Sequence, residues 1–195
     1  MGPFIVQVKT PDSHGSGAFI APDLVVTAAH VIHPRDRPEP FPPRRLTIIL
    51  RDGTELGVIA RLCHERWTES FHATADMAVV RVDEPRPGLV LGLVPNPLAR
   101  KRKVIITGFF EGPRAGTVTR VSGASGRDIL SSDDLAFHPG VSGAPVVDIS
   151  GRALGVATRS PDAALAGSFV GIPFLDNDQE RNLARLIEGC AQQEP

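Results

Sequence analysis

The chain contains no tyrosine, and aromatic residues make up only 5% of its 195 positions. That scarcity excludes the aromatic stacking platforms on which single-stranded nucleic acids are held. Cysteine is nearly absent as well: Cys63 and Cys190 are the only two. Two cysteines do not make a disulfide framework, so both are expected to be free thiols. No apolar run approaches the ~20 residues a membrane-spanning helix needs. Charge of either sign is not in excess. A formal net charge of −1 excludes a general polyanion binder, so neither nucleic acid nor a membrane is expected as a partner. Before the first strand pattern, at Phe4, there is no basic segment followed by a long apolar stretch, so no signal peptide is expected and the location read from the sequence is cytoplasmic. The start and finish are abrupt, as in a domain of a larger parent protein.

What is abundant is turn-forming residues. Nineteen glycines and eighteen prolines punctuate a chain that is 42% hydrophobic with a mean hydropathy near zero. This is the composition of a water-soluble all-β chain with many short strands and a real core. Phe4-Ile5-Val6-Gln7-Val8-Lys9 reads as a first strand and residues 11–17 as a polar turn. Ala18-Phe19-Ile20 and Leu24-Val25-Val26-Thr27 form a hairpin across Pro22-Asp23. Asp52-Gly53 marks a second hairpin. Residues 34–45 are too proline-rich for helix or ladder and read as a surface loop. Residues 64–75 read as a polar loop, and strand patterns then alternate with turns to residue 172. Leu183, Leu186 and Ile187 lie at helical spacing in a final helix over 176–188. No internal repeat stands out.

Three stretches carry chemistry. Ala136-Phe137-His138-Pro139-Gly140-Val141-Ser142-Gly143-Ala144-Pro145 sets a serine between two glycines. A glycine two before the serine lets the backbone aim two N–H groups, those of Gly140 and Ser142, at one spot. That is the donor pair an oxyanion requires. Val25-Val26-Thr27-Ala28-Ala29-His30 and Ala75-Asp76-Met77-Ala78-Val79-Val80 supply a histidine and an aspartate. A serine hydroxyl is a weak nucleophile until a base accepts its proton. Imidazole accepts and returns protons near neutral pH. A carboxylate fixes its tautomer. His30, Asp76 and Ser142 therefore form a candidate catalytic triad, in one of the three chain orders such triads take.

On these three motifs the chain resembles the chymotrypsin-fold, trypsin-like serine peptidases. It is most similar to their bacterial HtrA/Deg-type branch, here without a PDZ-like extension. The resemblance implies two packed six-stranded β-barrels and a C-terminal α-helix in a single peptidase domain over 1–195. The first lobe would span 1–84, the connection 85–102, and the second lobe with the helix 103–195. It implies a serine endopeptidase acting on polypeptide substrates, with no cofactor and no metal. By the same resemblance Ala136 stands at the floor of the primary specificity pocket with Phe137 beside it. Thr158, Arg159 and Ser160 lie on the strand that pairs with substrate, and Ser168 on the pocket wall. An alanine at the floor argues against cleavage after Arg or Lys and for a small or apolar residue before the scissile bond. Val141 departs from the pattern: extracellular relatives carry an aspartate there that pairs with a freed N-terminus, and the HtrA-like branch tends to asparagine. That departure motivates a second reading, a protease-fold module, inactive or conditionally active, serving regulation or interaction inside a larger intracellular protein.

The remaining features have ordinary readings. Arg100-Lys101-Arg102-Lys103 is the solvated start of a strand. Cys63-His64 with His72 fits no familiar zinc spacing and lacks a fourth ligand. His14 and His33 are expected at the surface. Trp67, in a polar loop, either caps a core or meets a partner.

Overall fold

A computed structural model describes residues 2–70, 75–87, 101–122, 128–132, 140–159, 169–173 and 177–193. Six strands form a first closed barrel: β1 (Ile5–Lys9), β2 (His14–Ala21), β3 (Leu24–Thr27), β4 (Thr47–Ile49), β5 (Glu55–Cys63) and β6 (Ala78–Val82), in the spatial order β1-β2-β3-β6-β5-β4. Six more close the second: β7 (Lys101–Ile106), β8 (Arg114–Ser122), β9 (Asp128–Ser132), β10 (Pro145–Asp148), β11 (Ala153–Arg159) and β12 (Phe169–Pro173), in the order β10-β11-β12-β9-β8-β7. Closure leaves no unpaired edge in either sheet. Among the described residues, three α-helices interrupt or follow the strands, α1 (Ala29–Ile32), α2 (Glu65–Ser70) and α3 (Asn177–Ala191), and a short 3-10 turn over Pro43–Arg45 closes the proline-rich loop. The fold is thus all-β with two six-stranded barrels and a C-terminal helix.

In β3 and β6 the apolar runs Leu24-Val25-Val26 and Ala78-Val79-Val80 are continuous rather than alternating. Val25, Ala78 and Val80 point into the first barrel with Val6, Val8, Phe19 and Ile48. Val26 and Val79 point the other way, into a cluster with Val104, Ile106, Val146, Leu154 and Val156 of the second barrel. Both faces are buried, so neither can be polar. Val141 and Ala144, which flank the serine, belong to this inter-barrel cluster. The loops that leave β3 and enter β6 therefore open onto the seam where the barrels meet. Leu186 and Cys190 of α3 pack into the same cluster, and a Cβ at Gly189 would lie 2.8 Å from Leu62 of β5. Among the described residues no helix is long and apolar enough to cross a membrane.

The structure departs from the sequence reading at several elements. The turn expected over 11–17 ends early, and His14-Gly15-Ser16-Gly17 continues β2, paired with β1 from Lys9↔His14 to Ile5↔Ala18. These residues have poor strand propensity, but close approach selects them: a Cβ on Gly15 would fall 2.6 Å from Val31 Cγ2 and 2.8 Å from the Ser142 carbonyl oxygen. Residues 65–70 form α2 rather than loop, anchored by Trp67, which is fully buried with its indole N–H donated to the His33 carbonyl at 3.0 Å. His33 is 1% exposed, contrary to the surface position expected, and its Nε2–H donates to the Arg37 carbonyl at 3.1 Å. His14 is exposed. The cysteines are both free and buried.

Candidate functional site

Strand register brings His30 and Asp76 together. In the antiparallel β3–β6 pair Thr27 lies opposite Ala78. Carried two residues further, that register sets Asp76 beside Ala29, at the start of α1. The single turn of α1 then swings His30 over the carboxylate. Both oxygens of Asp76 are engaged: Oδ1 accepts the His30 backbone N–H at 2.8 Å and Oδ2 meets His30 Nδ1 at 2.7 Å. Thr158 Oγ1 also donates to Oδ2. A carboxylate only accepts, so the proton of a neutral His30 sits on Nδ1 and Nε2 is left with its lone pair. Asp76 is 2% exposed while the His30 side chain is 26% exposed, so one end of the pair is dry and the other faces outward. Trp67 backs the imidazole with ring centroids 6.3 Å apart.

Ser142 is brought up from the second barrel. Gly140 has φ +95° and Gly143 φ +84°, both in the region that favours glycine. A Cβ on Gly143 would overlap the Ser16 carbonyl oxygen and Thr27 Oγ1 and lie 2.9 Å from the Ala28 nitrogen. The turn is thus pressed against the chain just ahead of His30. Three backbone bonds fix it: Ser16 N–H to the Ser142 carbonyl at 2.7 Å, Gly143 N–H to the Ala157 carbonyl at 2.6 Å, and Ala144 N–H to the Val141 carbonyl at 2.8 Å. Among the described residues, the N–H groups of Gly140 and Ser142 donate to no acceptor, and no hydrogen bond joins Ser142 Oγ to His30. Hydrogen bonds between nucleophile and base are commonly long before substrate binds. His14 and Phe110 flank the turn edge to face, with ring centroids 4.8 Å apart. A Cβ on Gly140 would stand 3.1 Å from Phe110 Cδ2.

Of the other residues singled out in the sequence, Thr158 lies on β11 with its side chain turned to Asp76, so its hydroxyl serves the carboxylate. Arg159 ends the same strand. Ala136, Phe137, Ser160 and Ser168 lie outside the described residues. Val141 is 3% exposed in the inter-barrel cluster, and a Cβ at Gly108 would stand 3.2 Å from its Cγ2. An apolar side chain suits that position, where an aspartate would be buried charge. Sequence reading missed Ser16. Its hydroxyl donates to the Gly140 carbonyl at 2.7 Å and accepts the Phe109 N–H at 2.9 Å. The one signal in its favour is a polar residue held between two glycines in a strand that passes through a packed seam.

Residues 15–156 match the family of the trypsin-like peptidase domain. The chain is 31% identical over 175 residues to a probable periplasmic serine endoprotease DegP-like of Rhizobium meliloti (strain 1021), which covers 84% of this chain and 31% of that protein. It is 32% identical over 179 residues to the protein of the same name in Brucella suis biovar 1 (strain 1330), covering 85% and 31% respectively. The chain therefore spans about a third of the length of these relatives. Among solved structures, a Glu endopeptidase superposes with a TM-score of 0.76 at 15% identity, covering 97% of this chain and 91% of that one, a likeness of fold. The cytoplasmic location read from the sequence is overturned here, since the relatives are named as periplasmic proteins. The absence of a leader pattern ahead of Phe4 does not decide location. With the fold, the motifs and the match over residues 15–156 in agreement, the chain belongs to the trypsin-like peptidase domain family.

Proposed function

We propose that the chain is the peptidase domain of a serine endopeptidase, with His30, Asp76 and Ser142 as its triad. The observation that carries this reading is the double engagement of buried Asp76 by the backbone N–H and the Nδ1 of His30, which leaves Nε2 free to accept a proton. Ser142 Oγ attacks the carbonyl carbon of the substrate, and its proton passes to His30 Nε2. The carbonyl π pair moves onto oxygen, where the N–H groups of Gly140 and Ser142 receive it. The tetrahedral adduct collapses with loss of the C–N bond, and His30 gives its proton to the leaving amine. A water, deprotonated by His30, then attacks the acyl ester, and the proton returns to Ser142 as the acid departs. Asp76 stabilises the imidazolium in both halves without taking the proton. Thr158 holds Asp76 from the far side.

The substrates are polypeptides, with a small or apolar residue before the scissile bond. The family pattern, which would set Ala136 at the pocket floor with Phe137 beside it, supports that preference. The relatives' greater length supports a parent protein with further domains. Cleavage profiling on a peptide library tests both levels. The reading predicts cuts after small and apolar residues that disappear with Ser142→Ala. A profile dominated by Arg or Lys would overturn the pocket assignment, and cleavage that survives Ser142→Ala would overturn the nucleophile. Val141 favours no inactive module: it sits in an apolar cluster that asks for no charged partner.

A further inference from the structure

Ser16 makes four hydrogen bonds at the seam, two through its hydroxyl and two through its backbone. It is fully buried, with 0% exposure. Its hydroxyl has a carbonyl on one side and an N–H on the other, so its single proton goes to Gly140 O and its lone pair to Phe109 N–H. Its own N–H holds the Ser142 carbonyl, and its carbonyl accepts the Thr27 hydroxyl at 2.8 Å. The neighbours Gly15 and Gly17 contribute no side chain; each sits where a Cβ would collide with neighbouring atoms. Phe109 is held in turn by the first barrel, since Arg51 donates to its carbonyl at 2.8 Å and to that of Gly108 at 3.0 Å.

An amide N–H lies in its own peptide plane, whose orientation is tied to the planes before and after it through φ and ψ. Ser16 Oγ fixes the plane between Gly140 and Val141, and Ser16 N–H fixes the plane between Ser142 and Gly143. The plane between them carries the Ser142 N–H, and φ +95° at Gly140 ties its own N–H to the first of the fixed planes. The side chain at 141, a valine, can make no hydrogen bond that would do this instead. We propose that Ser16 is a positioning residue that locks the 140–142 turn with both N–H groups presented to a developing oxyanion, an inference that rests on the serine-peptidase reading above. The hole is thereby built at rest from the partner barrel, without a charged group at position 141.

The test compares wild type, Ser16→Ala and Ser16→Cys on one chromogenic peptide amide ending in valine. It adds inhibition by the matching peptide aldehyde, which forms a tetrahedral adduct with an oxyanion, and by the same peptide as an amide, which does not. Deleting a donor outright costs about a hundredfold to a thousandfold in kcat. Loosening the turn should cost less, so Ser16→Ala is expected to lose about tenfold to a hundredfold in kcat and the same factor in aldehyde affinity. KM and affinity for the plain amide should stay within about twofold. Ser16→Cys, with a weaker donor of similar size, should fall between, and it carries the test alone if the alanine variant does not fold. Wild-type kcat and aldehyde affinity in the folded variants, even with a lowered Tm, would overturn the proposal. So would equal losses for aldehyde and amide. A wild type that neither turns over nor binds the aldehyde would instead defeat the peptidase reading, and the role of Ser16 with it.

Discussion

Gly143 gives the sharpest quantitative test of how the two barrels meet. Gly143→Ala adds one methyl group at φ +84°, over the Ser16 carbonyl oxygen and Thr27 Oγ1 and 2.9 Å from the Ala28 nitrogen. Two of those atoms are backbone of the first barrel, so no rotamer change relieves the overlap. A left-handed conformation costs a non-glycine residue about 1–2 kcal/mol, and overpacking a filled seam a further ~1–3 kcal/mol. The sum is about 2–5 kcal/mol, a large part of the ~5–15 kcal/mol that holds a domain together. Gly151 provides the matched control. It has φ +77° and nothing within 4 Å of an added Cβ, so Gly151→Ala carries the conformational cost alone. Urea unfolding of the two variants should therefore differ by about 1–3 kcal/mol. Reaction with a fluorophosphonate should separate them further. Displacing Ser142 by an ångström costs about a hundredfold in rate, while Gly151→Ala should react like wild type. Equal destabilisation by the two substitutions would refute the account of the seam.

Three further predictions follow from individual side chains. Burial lowers the His33 pKa below its ordinary value of 6.5, so the native state prefers the neutral ring. This contribution to stability is fully present above about pH 6.5 and is lost as pH falls through the lowered native value. The urea midpoint should drop as pH falls below about 6.5, and His33→Gln, which keeps a donor for the Arg37 carbonyl, should flatten that part of the profile. Burial pushes the Cys63 thiol up to about 12 and the Cys190 thiol up to about 11, so native protein should react slowly with Ellman's reagent and both thiols should react promptly in urea. Rapid reaction of the folded protein would contradict their packing. Thr158→Val removes the hydroxyl donor from buried Asp76 at nearly constant volume; unfolding measurements should show a loss of about 1–3 kcal/mol, and kcat should fall more than KM rises.

Much of the barrel architecture is legible in the sequence because turn chemistry is explicit there. Asp52-Gly53 and Pro22-Asp23 mark their hairpins, and the apolar runs at 24–26 and 78–80 are continuous because both faces of β3 and β6 are buried there. What propensity hides is set by contacts distant in sequence. The segment 14–17 reads as a turn because glycine and serine are poor strand formers; it is a strand because β1 pairs with it and the Ser142 turn presses close. The six residues of α2 are too few to be stable alone, and Trp67 buried on the His33 carbonyl holds them. The same burial draws His33 inside. At the site, motif order points to His30, Asp76 and Ser142, but the β3–β6 register that aligns the first two is a tertiary fact. The partnership of Thr158 with Asp76 and the four polar contacts of Ser16 join residues 82 to 126 positions apart or cross a strand pair, and no local pattern encodes them.

The most direct measurement is to locate the adduct formed when the protein reacts with a fluorophosphonate, using peptide mass spectrometry, and to compare rates in Ser142→Ala, His30→Ala and Asp76→Asn. The account predicts one adduct, on Ser142, absent in Ser142→Ala and slowed by about a thousandfold or more in the other two. An unlabelled wild type, an adduct on another residue, or labelling indifferent to His30 would contradict it.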